Sequence, residues 1–522
     1  MRLTFGVTVA AFLLLGAEFV QAQDQRAVTL RSFDGSTQLT GRIITFDGTN
    51  FVIETGIGRM TVDALQVECE GEACPPSLRY GAKFGIFGSN TIGAELMPLL
   101  IDGYAERLEA SVVREATATE NESVYRLTAG NGREIAEIDL RSHGSSTGYP
   151  GLAEGVASVG MSSRRMRDDE AALLASNGAF DLRGSDYEHI VALDGLLILT
   201  HPNNPISALE IDDVADIFAG VITNWSEVGG LDQPIALHAP DDASGTYDTF
   251  ASLVLDPLGE DLSPVAERFD SNVELSDAVA RTPGSIGFTG AAFARAAKVL
   301  NLSQSCGIVS PPTSFTMKTE EYPLARRLYL YSTPGEAPAH ARRLVDFALS
   351  DEAQDLVADA GFINLREERV TIADQGNRLI HAITGEDEVS FADLREMLVE
   401  LRDAERLTTT FRFNQGSTQL DARSARDVAE LANELQDGEF DGAELLLIGF
   451  TDSIGQFDLN RSLALRRAEQ VQAQLAQIVG PLTFSRLNIR TLGYGELAPV
   501  GCNTTFEGRQ INRRVEVWVR SL

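Results

Sequence analysis

The strongest constraint in this sequence is a long region in which short apolar segments alternate with amphipathic ones. The region opens at Lys83 with KFGIFG, which predicts a short buried strand. The alternation continues to about Leu365 and predicts an α/β fold, and a region of this length is better filled by two lobes than by one. The first helical segment has its apolar residues at helical spacing, and these are Ile92, Leu96, Leu99, Leu100 and Tyr104.

The regions on either side follow different patterns, so we predict a multidomain α/β and α+β chain. Residues 23–80 show two-residue alternation between Asp-Gly turns, which predicts a small β-module. The two-lobed region is assigned to 81–368. Residues 369–407 are polar and helix-prone and predict a helical linker. Residues 408–522 predict the order βαβαβ.

The first 22 residues have the features of a secretory signal. Arg2 supplies the positive charge, and the apolar run from Val7 to Leu15 is too short to span a bilayer. We expect cleavage after Ala22 and a mature protein outside the cytoplasm. An uncleaved amphipathic segment is the alternative. No Cys follows the expected cleavage site, so a lipid anchor is not predicted.

The charge balance argues against several classes of partner. Asp and Glu total 76 against 43 Lys and Arg, a formal charge of -33. Such a charge disfavours nucleic acid and docking on anionic lipid. An anionic ligand would therefore need short-range donors in a preformed site that outweigh the field of the whole protein.

Four cysteines in an exported chain suggest disulfides. Cys69 and Cys74 are close enough for a local disulfide, and no second pair accompanies them to make a zinc site. Cys306 and Cys502 lie in different predicted domains, and their pairing stays open. We predict no metal and no cofactor.

Three loops rich in hydroxyl groups could build an oxyanion site. Each lies before a predicted helix, where free amides and the helix dipole favour negative charge. Taken singly, each loop is more often an ordinary helix cap. The candidate residues are Ser89, Asn90 and Thr91 in the first loop, Ser145 and Ser146 in the second, and Ser244, Gly245 and Thr246 in the third.

Together with FGSNTIGAELMP, GVASVGMSSRRM, APDDASGTYDTF and YPLARRLYLY, these loops resemble the PstS-like phosphate-binding proteins of the periplasm, over about 83–365. The resemblance implies two α/β lobes that hold phosphate or a similar oxyanion in a cleft, without a metal. It implies ligand contacts from the eight loop residues, with Ser162 and Ser163 as weaker candidates, and an ABC permease or a sensor as a partner.

One position departs from the pattern of these proteins. Many of them carry an Arg four residues before the Ser of the SGT motif, and this chain has Pro240 there. Proline has neither a charge nor an amide hydrogen. His238 and Arg164 are candidate replacements for the missing cation.

The last predicted domain places an acid and a base in a pattern that suits a zwitterion. Asp452 ends the strand ELLLIGFTD, and Arg467 lies in the helix that follows. A carboxylate can accept from an ammonium group while a guanidinium holds a carboxylate. The alternative is a structural salt bridge between the two.

The segments GFTDSIGQFDLNRSLALRRAEQV and GYGELAPVGCNTTFEGRQINRRVEVWV, with FNQGSTQLD before them, resemble the OmpA-like peptidoglycan-binding domain. The resemblance implies that Asp452 and Arg467 hold the diaminopimelate of the wall peptide. It also implies that Asn460 and Arg514 shape or support the pocket.

We therefore predict a periplasmic solute-binding protein that is anchored non-covalently to peptidoglycan, with outer-membrane association as a further expectation. The alternative is a structural or adhesive envelope protein whose cleft holds no anion, and Pro240 favours it. A hydrolase is not expected, because His143 and Ser145 are neighbours on one turn and no GxSxG motif accompanies them.

Overall fold

The computed structural model describes most of the chain in two compact units. These are Met1–Ala82 with Gly130–Arg133, and Lys83–Ala129 with Glu134–Leu522. The expected signal peptide, residues 1–22, lies outside the described residues. The described residues are 27–32, 37–46, 50–64, 66–75, 82–130, 132–176, 181–184, 186–242, 244–333, 337–384, 390–413, 417, 420 and 422–522.

The first unit is an antiparallel sheet with the strand order β4-β3-β2-β1-β5. Its inward-facing side chains include Val28, Leu30, Phe51 and Ile53, all buried. Cys69 and Cys74 form the expected local disulfide. The strands are β1 Ala27–Ser32, β2 Gln38–Phe46, β3 Asn50–Thr55, β4 Gly58–Asp63 and β5 Val67–Glu70.

The second unit begins with a long mixed sheet in the order β14-β13-β15-β11-β19-β10-β6-β9-β8-β7, with β16 paired to β11. A small separate sheet has the order β12-β17-β18. The strands are β6 Ala82–Gly88, β7 Ser111–Ala116, β8 Glu122–Thr128, β9 Glu134–Ser142, β10 Val159–Ser162, β11 Glu188–Thr200, β12 Ala208–Glu210, β13 Ala236–Pro240, β14 Glu267–Phe269, β15 Ser285–Gly290, β16 Lys298–Val299, β17 Asn301–Ser303, β18 Val309–Ser310 and β19 Ala325–Ser332.

The helices of this part lie between the strands, as the alternating pattern predicts. Short helical turns at Ile92–Leu96, Trp225–Val228, Ala251–Leu255, Asp256–Leu258 and Ala291–Phe293 supplement them. The α-helices are α1 Met97–Arg107, α2 Ser145–Ala153, α3 Asp168–Ser176, α4 Ile211–Ala219, α5 Gly245–Phe250, α6 Asn272–Arg281, α7 Ser314–Lys318, α8 Ala339–Ala348 and α9 Asp351–Asp359.

Strands β11 and β19 connect two lobes. They pair antiparallel with each other, and Asp194 lies opposite Arg326 in this register. On one side β19 pairs with β10 of the first lobe, and on the other side β11 pairs with β15 of the second lobe. The predicted two-lobed fold is confirmed, and the cleft between the lobes lies beside this pair of strands.

The C-terminal domain, residues 369–522, has a sheet in the order β20-β21-β24-β22-β23. Its strands are antiparallel except for the parallel pair β22 and β23. Its strands are β20 Arg369–Thr371, β21 Glu405–Arg412, β22 Ala443–Gly449, β23 Asn488–Gly493 and β24 Arg514–Ser521. Its helices are α10 Gly376–Thr384, α11 Phe391–Leu401, α12 Ala422–Asp437, α13 Phe457–Phe484 and α14 Phe506–Asn512, with a short turn at Ala373–Gln375.

The region 369–407, predicted as a helical linker, is packed into the C-terminal domain. Helices α10 and α11 form there, but the apolar stripe of α11 needs a partner surface. Leu394 and Met397 are buried against Leu446 and Trp518 of the sheet. Helices α12 and α13 cover the opposite face. The domain therefore begins near residue 369 and has helices on both faces of its sheet.

A disulfide and a buried ionic cluster attach the C-terminal domain to the two-lobed domain. Cys306 pairs with Cys502, which settles the pairing that the sequence left open. Arg406 of β21 donates to Glu321 across 2.5 Å and lies 3.3 Å from Glu516. All three residues are buried. Within the described ranges, every helix is too short or too polar to cross a bilayer.

We predict that Glu434→Gln raises the thermal midpoint at pH 8 and leaves it unchanged near pH 4. The pKa of Glu434 is raised to about 7, mainly by burial. Smaller increases come from the nearby carboxylates of Glu367, Glu439 and Glu430, and the charge of Arg369 opposes them. A raised folded-state pKa favours the protonated acid. The contribution of Glu434 to the free energy of unfolding is therefore fully present below about pH 4.5 and is lost as pH rises through 7. Gln keeps the neutral form at every pH.

Melting curves from pH 4 to pH 9 measure this effect. The matched control is Glu469→Gln, which removes one carboxylate from the exposed face of α13 and should give the same pH dependence as the wild type. An equal midpoint for Glu434→Gln and wild type at pH 8 would contradict the prediction.

Candidate functional site

The main cavity of the second unit has a volume of about 640 Å³ and is rich in hydroxyl groups and arginines. We call it the basic cavity. Two acids, Asp248 and Glu320, also line it. Its hydroxyl and amide residues are Ser89, Asn90, Thr91, Ser145, Ser146, Ser163, Ser252, Tyr329 and Gln510. Its cations are Arg164, Arg165, Arg167, Arg326, Arg327 and Arg412.

Glycines at the ends of two strands bring the first two predicted loops to this cavity. Gly88 has φ 137°, and a Cβ there would lie 2.0 Å from the carbonyl oxygen of Met161. The chain therefore passes close to β10 before it reaches Ser89. Gly144, with φ 101°, turns the chain from β9 into α2, so Ser145 lies in the first turn of that helix.

The two serine loops are joined directly by hydrogen bonds. The amide of Ser163 donates to Ser145 Oγ at 3.0 Å, and the two hydroxyl oxygens are 3.1 Å apart. Ser162 instead faces the interior, where it accepts from the Tyr149 hydroxyl and donates to the Arg164 carbonyl. Of the two weaker candidates, Ser163 therefore lines the cavity and Ser162 is buried.

Arg326 lies where the two lobes touch. Its Nη2 donates to Thr91 Oγ1 of the first lobe at 2.8 Å and to the Gly245 carbonyl of the second lobe at 3.3 Å. Its Nε lies 3.3 Å from Asp194 Oδ2. Its side chain is only 10% exposed. One guanidinium therefore joins both lobes at the edge of the basic cavity.

The third predicted loop lines a different cavity. Ser244, Gly245 and Thr246 border a space of about 430 Å³, which we call the acidic cavity. Asn90 and Thr91 line both cavities, so the eight predicted residues are divided between two sides of the contact between the lobes. The acids of this second cavity are Glu95, Asp194, Asp241 and Asp270.

The acidic cavity is unsuited to a fully ionised anion. A hydrogen bond shared with Asp270 raises the pKa of Asp241. Ser244 Oγ accepts from the Thr246 amide as an ordinary helix cap, and the Thr246 hydroxyl lies 3.4 Å from Asn272 Nδ2. In these contacts both SGT hydroxyls act as acceptors from protein donors.

Asp452 of the C-terminal domain lies beside two arginines. Its Oδ2 accepts from Arg513 Nη1 at 2.9 Å, and both residues are buried. Its backbone carbonyl accepts from Asn460 Nδ2 at 3.3 Å, and the same amide group donates to Glu496 Oε2 at 2.9 Å. Asp452, Asn460 and Arg513 thus form one connected group. Asp452 follows β22, Asn460 lies in the first turn of α13, and Arg513 directly precedes β24.

Arg467 completes this group from the helix α13. It donates to the carbonyls of Ser417 and Phe450 and is 1% exposed. Burial is the main cause that lowers the pKa of Arg467 to about 10; Asp452 opposes it, and Arg513 adds to it. The side chain keeps its charge at neutral pH. A buried acid between two guanidiniums can hold the two ends of a zwitterion.

Comparisons with known proteins assign a family to each of the two domains. A model described as the PBP superfamily domain matches residues 105–352, and a model described as the OmpA family matches 412–513. The phosphate-binding protein PstS of Bacillus subtilis strain 168 is 31% identical over 237 residues, which are 45% of this chain and 74% of that protein. The chain belongs to the PstS family. A domain of the OmpA family follows its PstS-like region.

Two solved structures are similar to separate parts of this PstS-family chain. An ABC-type phosphate transport receptor from Vibrio cholerae has 24% identity and a TM-score of 0.40, and the match covers 54% of this chain and 99% of that one. The peptidoglycan-associated lipoprotein from Burkholderia pseudomallei has 22% identity and a TM-score of 0.19, and covers 22% and 90%.

The two candidate replacements for the cation missing at Pro240, His238 and Arg164, lie in different surroundings. His238 is buried beside Glu267 and lines neither cavity. Arg164 lines the basic cavity, but two of its nitrogens donate to Glu170 at 2.6 and 2.8 Å. Arg326 was missed, although its segment YPLARRLYLY carried two adjacent arginines in a strand-like pattern.

Arg514 lies in the interior of the C-terminal domain, and its hydrogen bonds within the described residues do not include Asp452. Its guanidinium is fully buried and donates to Glu516 and to the carbonyls of Asn512 and Ala498. It is Arg513, the preceding residue, that contacts Asp452. The resemblance implied a supporting role for Arg514 and did not single out Arg513. Among the described residues, no cluster of His, Cys, Asp or Glu could hold a metal ion.

We predict that Gly245→Ala lowers the thermal midpoint of the full chain. A Cβ at this position would lie 2.6 Å from Thr91 Oγ1 and 2.9 Å from the Thr91 amide nitrogen, so the lobes must separate or the side chains must shift. Crowding of this kind costs about 1 to 3 kcal/mol. Calorimetry of both proteins measures the change.

The control is Gly376→Ala, where an added Cβ meets no atom within 4 Å and the backbone is helical. This variant should melt at or slightly above the wild-type temperature. Equal midpoints for Gly245→Ala and Gly376→Ala would show that the contact between Thr91 and Gly245 is not close in solution.

Proposed function

We propose that this PstS-family protein binds phosphate, or a similar oxyanion, in the basic cavity. The observation that supports the proposal most strongly is that three donors line one cavity. They are the hydroxyl of Ser145 in the first turn of α2, the hydroxyl of Ser163 after β10, and the Arg326 guanidinium. Hydroxyls and helix amides donate without adding charge, and a guanidinium adds a charge-assisted donor. Six arginines line this cavity in a chain with a charge of -33, and Glu170, Glu188 and Asp194 pair with three of them.

The acceptors of the cavity favour an oxyanion that still carries a proton. Asn90 Oδ1 is buried and has no hydrogen-bond partner within the described ranges, and Asp248 adds a carboxylate to the lining. An oxygen acceptor can bind the hydroxyl of hydrogen phosphate. Sulfate has no such hydroxyl near neutral pH, so the lining favours phosphate over sulfate.

We predict that Ser145→Ala weakens phosphate binding by about tenfold or more, because one hydrogen bond to a charged ligand contributes about 1.5 to 3 kcal/mol. Isothermal titration of the ligand-stripped full chain with phosphate, and then with sulfate, measures this. Ser111→Ala is the control, since Ser111 is exposed on β7 and far from the lining residues. Equal affinity of the Ser145→Ala variant and wild type would contradict the assignment.

We also propose that the C-terminal domain attaches the protein non-covalently to peptidoglycan in the periplasm. The support is the match to the OmpA family together with the buried group of Asp452, Asn460, Arg467 and Arg513. The carboxylate would accept from the ammonium of a diaminopimelate side chain, and the arginines would hold its carboxylate. Arg514 would support this group from the interior. Such an anchored receptor would deliver its anion to a permease or a sensor.

We predict that Asp452→Asn removes sedimentation with purified peptidoglycan while the chain stays folded. The substitution keeps the shape of the side chain and removes the charge that the ammonium would pair with. The control is Asp437→Asn, at an exposed position at the end of α12. Circular dichroism checks the fold of both variants. Sedimentation of the Asp452→Asn variant at the wild-type level would refute the proposed wall site.

The alternative remains a structural envelope protein that binds the wall and no anion. Two observations favour it: Pro240 in place of a cation, and the separation of the SGT loop from the other two loops. The titration distinguishes the two functions, because the alternative gives no heat with either anion while sedimentation persists.

A further inference from the structure

The loop that contains Cys502 is attached to the two-lobed domain by two side chains. Gln304 and Cys306 lie in the connection between β17 and β18. The Cys502 amide donates to Gln304 Oε1 at 2.8 Å, and Gln304 Nε2 donates to the Val500 carbonyl at 3.4 Å. The disulfide joins Cys306 to the same loop. We call residues 500–503 the attached loop, since these contacts hold it to another domain.

The attached loop packs closely against the helix α14. A Cβ at Gly508 would lie 2.1 Å from the Cys502 carbonyl oxygen, and a Cβ at Gly501 would lie 2.5 Å from Ile511 Cδ1. Only glycine leaves room for the loop and the helix to touch at both positions. Because closely packed groups transmit displacements to one another, a shift of the loop would also move α14 and the residues that follow it.

Two asparagine side chains extend this contact from the attached loop. Asn512 is fully buried, and its Oδ1 accepts from the amides of Val500 and Gly501 at 2.8 and 3.1 Å. Its Nδ2 donates to Asn503 Oδ1 at 2.9 Å. The same oxygen of Asn503 accepts from the Ser453 amide at 3.3 Å. The attached loop, the end of α14 and the segment after β22 therefore share one hydrogen-bond network.

This network reaches both partners of the ion pair in the proposed wall site. Ser453 follows Asp452, and Asn512 precedes Arg513. Arg513 Nη1 donates to Asp452 Oδ2 at 2.9 Å, and both side chains are buried. The side-chain oxygen of Asn503 thus contacts the residue beside the acid and the residue beside the arginine.

Arg412 links the same region to the two-lobed domain at a second point. Its Nη1 donates to the carbonyl of Ile511, which directly precedes Asn512, at 2.6 Å. Its Nη2 donates to the carbonyl of Thr319, which follows α7, at 2.5 Å. The segment that leads to Arg513 is therefore connected to the two-lobed domain through Arg412 as well as through the attached loop.

We propose that Gln304 and Cys306 of the two-lobed domain are positioning residues of the wall site, and that they act on it through the attached loop. This inference rests on the proposed attachment to peptidoglycan, and it adds residues of another domain to that function. A site whose charged groups are already ordered binds more tightly, because less conformational entropy is lost when the ligand arrives. The two residues would do this without contacting the wall peptide.

The test is sedimentation of the full chain with increasing amounts of purified peptidoglycan, well below the melting temperature of each variant. Gln304→Ala removes the acceptor of the Cys502 amide, and the double variant Cys306→Ser with Cys502→Ser removes the disulfide. We expect each to need about fivefold more peptidoglycan or above for half-maximal sedimentation, because the binding step must then order the site. Gln304→Glu keeps an acceptor oxygen and should sediment nearly as wild type does.

Two matched controls remove similar contacts elsewhere. Gln436→Ala removes a side-chain hydrogen bond to the Ile478 carbonyl, in another part of the C-terminal domain. The double variant Cys69→Ser with Cys74→Ser removes the disulfide of the first unit. Both should sediment as wild type does. Circular dichroism and melting curves check the fold of every variant. A role of Gln304 in stability alone would lower the melting temperature of Gln304→Ala and leave its sedimentation unchanged.

The outcomes separate this inference from the proposed wall attachment. Wild-type sedimentation of Gln304→Ala and of the Cys306 and Cys502 double variant would overturn the positioning role and keep the attachment. An equal loss for Gln304→Glu and Gln304→Ala would also contradict it, since the acceptor oxygen would then make no difference. If the double variant does not fold, Gln304→Ala decides alone, because it leaves the disulfide intact. Wild type that fails to sediment would overturn both proposals together.

Discussion

The arrangement of the second unit depends on one buried carboxylate, that of Glu516. Three arginines, Arg378, Arg406 and Arg514, surround it at distances of 2.7 to 3.3 Å, and all are deeply buried. Burial alone would raise the pKa of Glu516, but these arginines hold it well below its usual range. Arg406 also reaches Glu321 of the two-lobed domain. An isolated charge of this kind costs several kcal/mol to bury, and Glu321 adds a second carboxylate to a group that otherwise holds three arginines and one carboxylate.

Charge is divided unevenly around the cleft between the two lobes. The strand pair β11 and β19 places Asp194 opposite Arg326, and the contact between Thr91 and Gly245 closes the space beside them. Six arginines then lie on one side, together with Asp248 and Glu320, and four carboxylates lie on the other. The two cavities therefore differ in charge although they share Asn90 and Thr91, since nearby charges outweigh distant, screened ones.

Local features of this chain could be predicted from its sequence, and contacts between distant segments could not. The alternation of strands and helices gave the two lobes, and the loops at Ser89 and Ser145 were found because each motif is continuous. Arg326 joins its partners only through strand pairing over more than a hundred residues. Arg513 and Arg514 are adjacent, so their side chains point in different directions at the start of a strand, and the sequence does not say which one faces Asp452.

The same reasoning explains the outcome for residues 369–407. The polar composition there favoured a separate linker, but the apolar stripe of α11 carries Leu394 and Met397, which are nearly fully buried in the structure. An amphipathic helix needs a surface to cover, and the nearest one is the sheet that carries Trp518. Sequence composition describes the average of a segment, while packing depends on which of its residues share one face.

The disulfide between Cys306 and Cys502 has a mechanical consequence. It joins the two-lobed domain to the C-terminal domain at a point 196 residues apart along the chain. A force applied at the C-terminal domain near Cys502 can pass to the two-lobed domain through this covalent bond, in parallel with the backbone and with the ionic cluster at Glu516. Under tension, the boundary that carries Arg412 would therefore shear less than non-covalent contacts alone allow. Attachment of the C-terminal domain to the wall, as proposed above, would load this boundary, and the disulfide would then help the cavity to keep its shape.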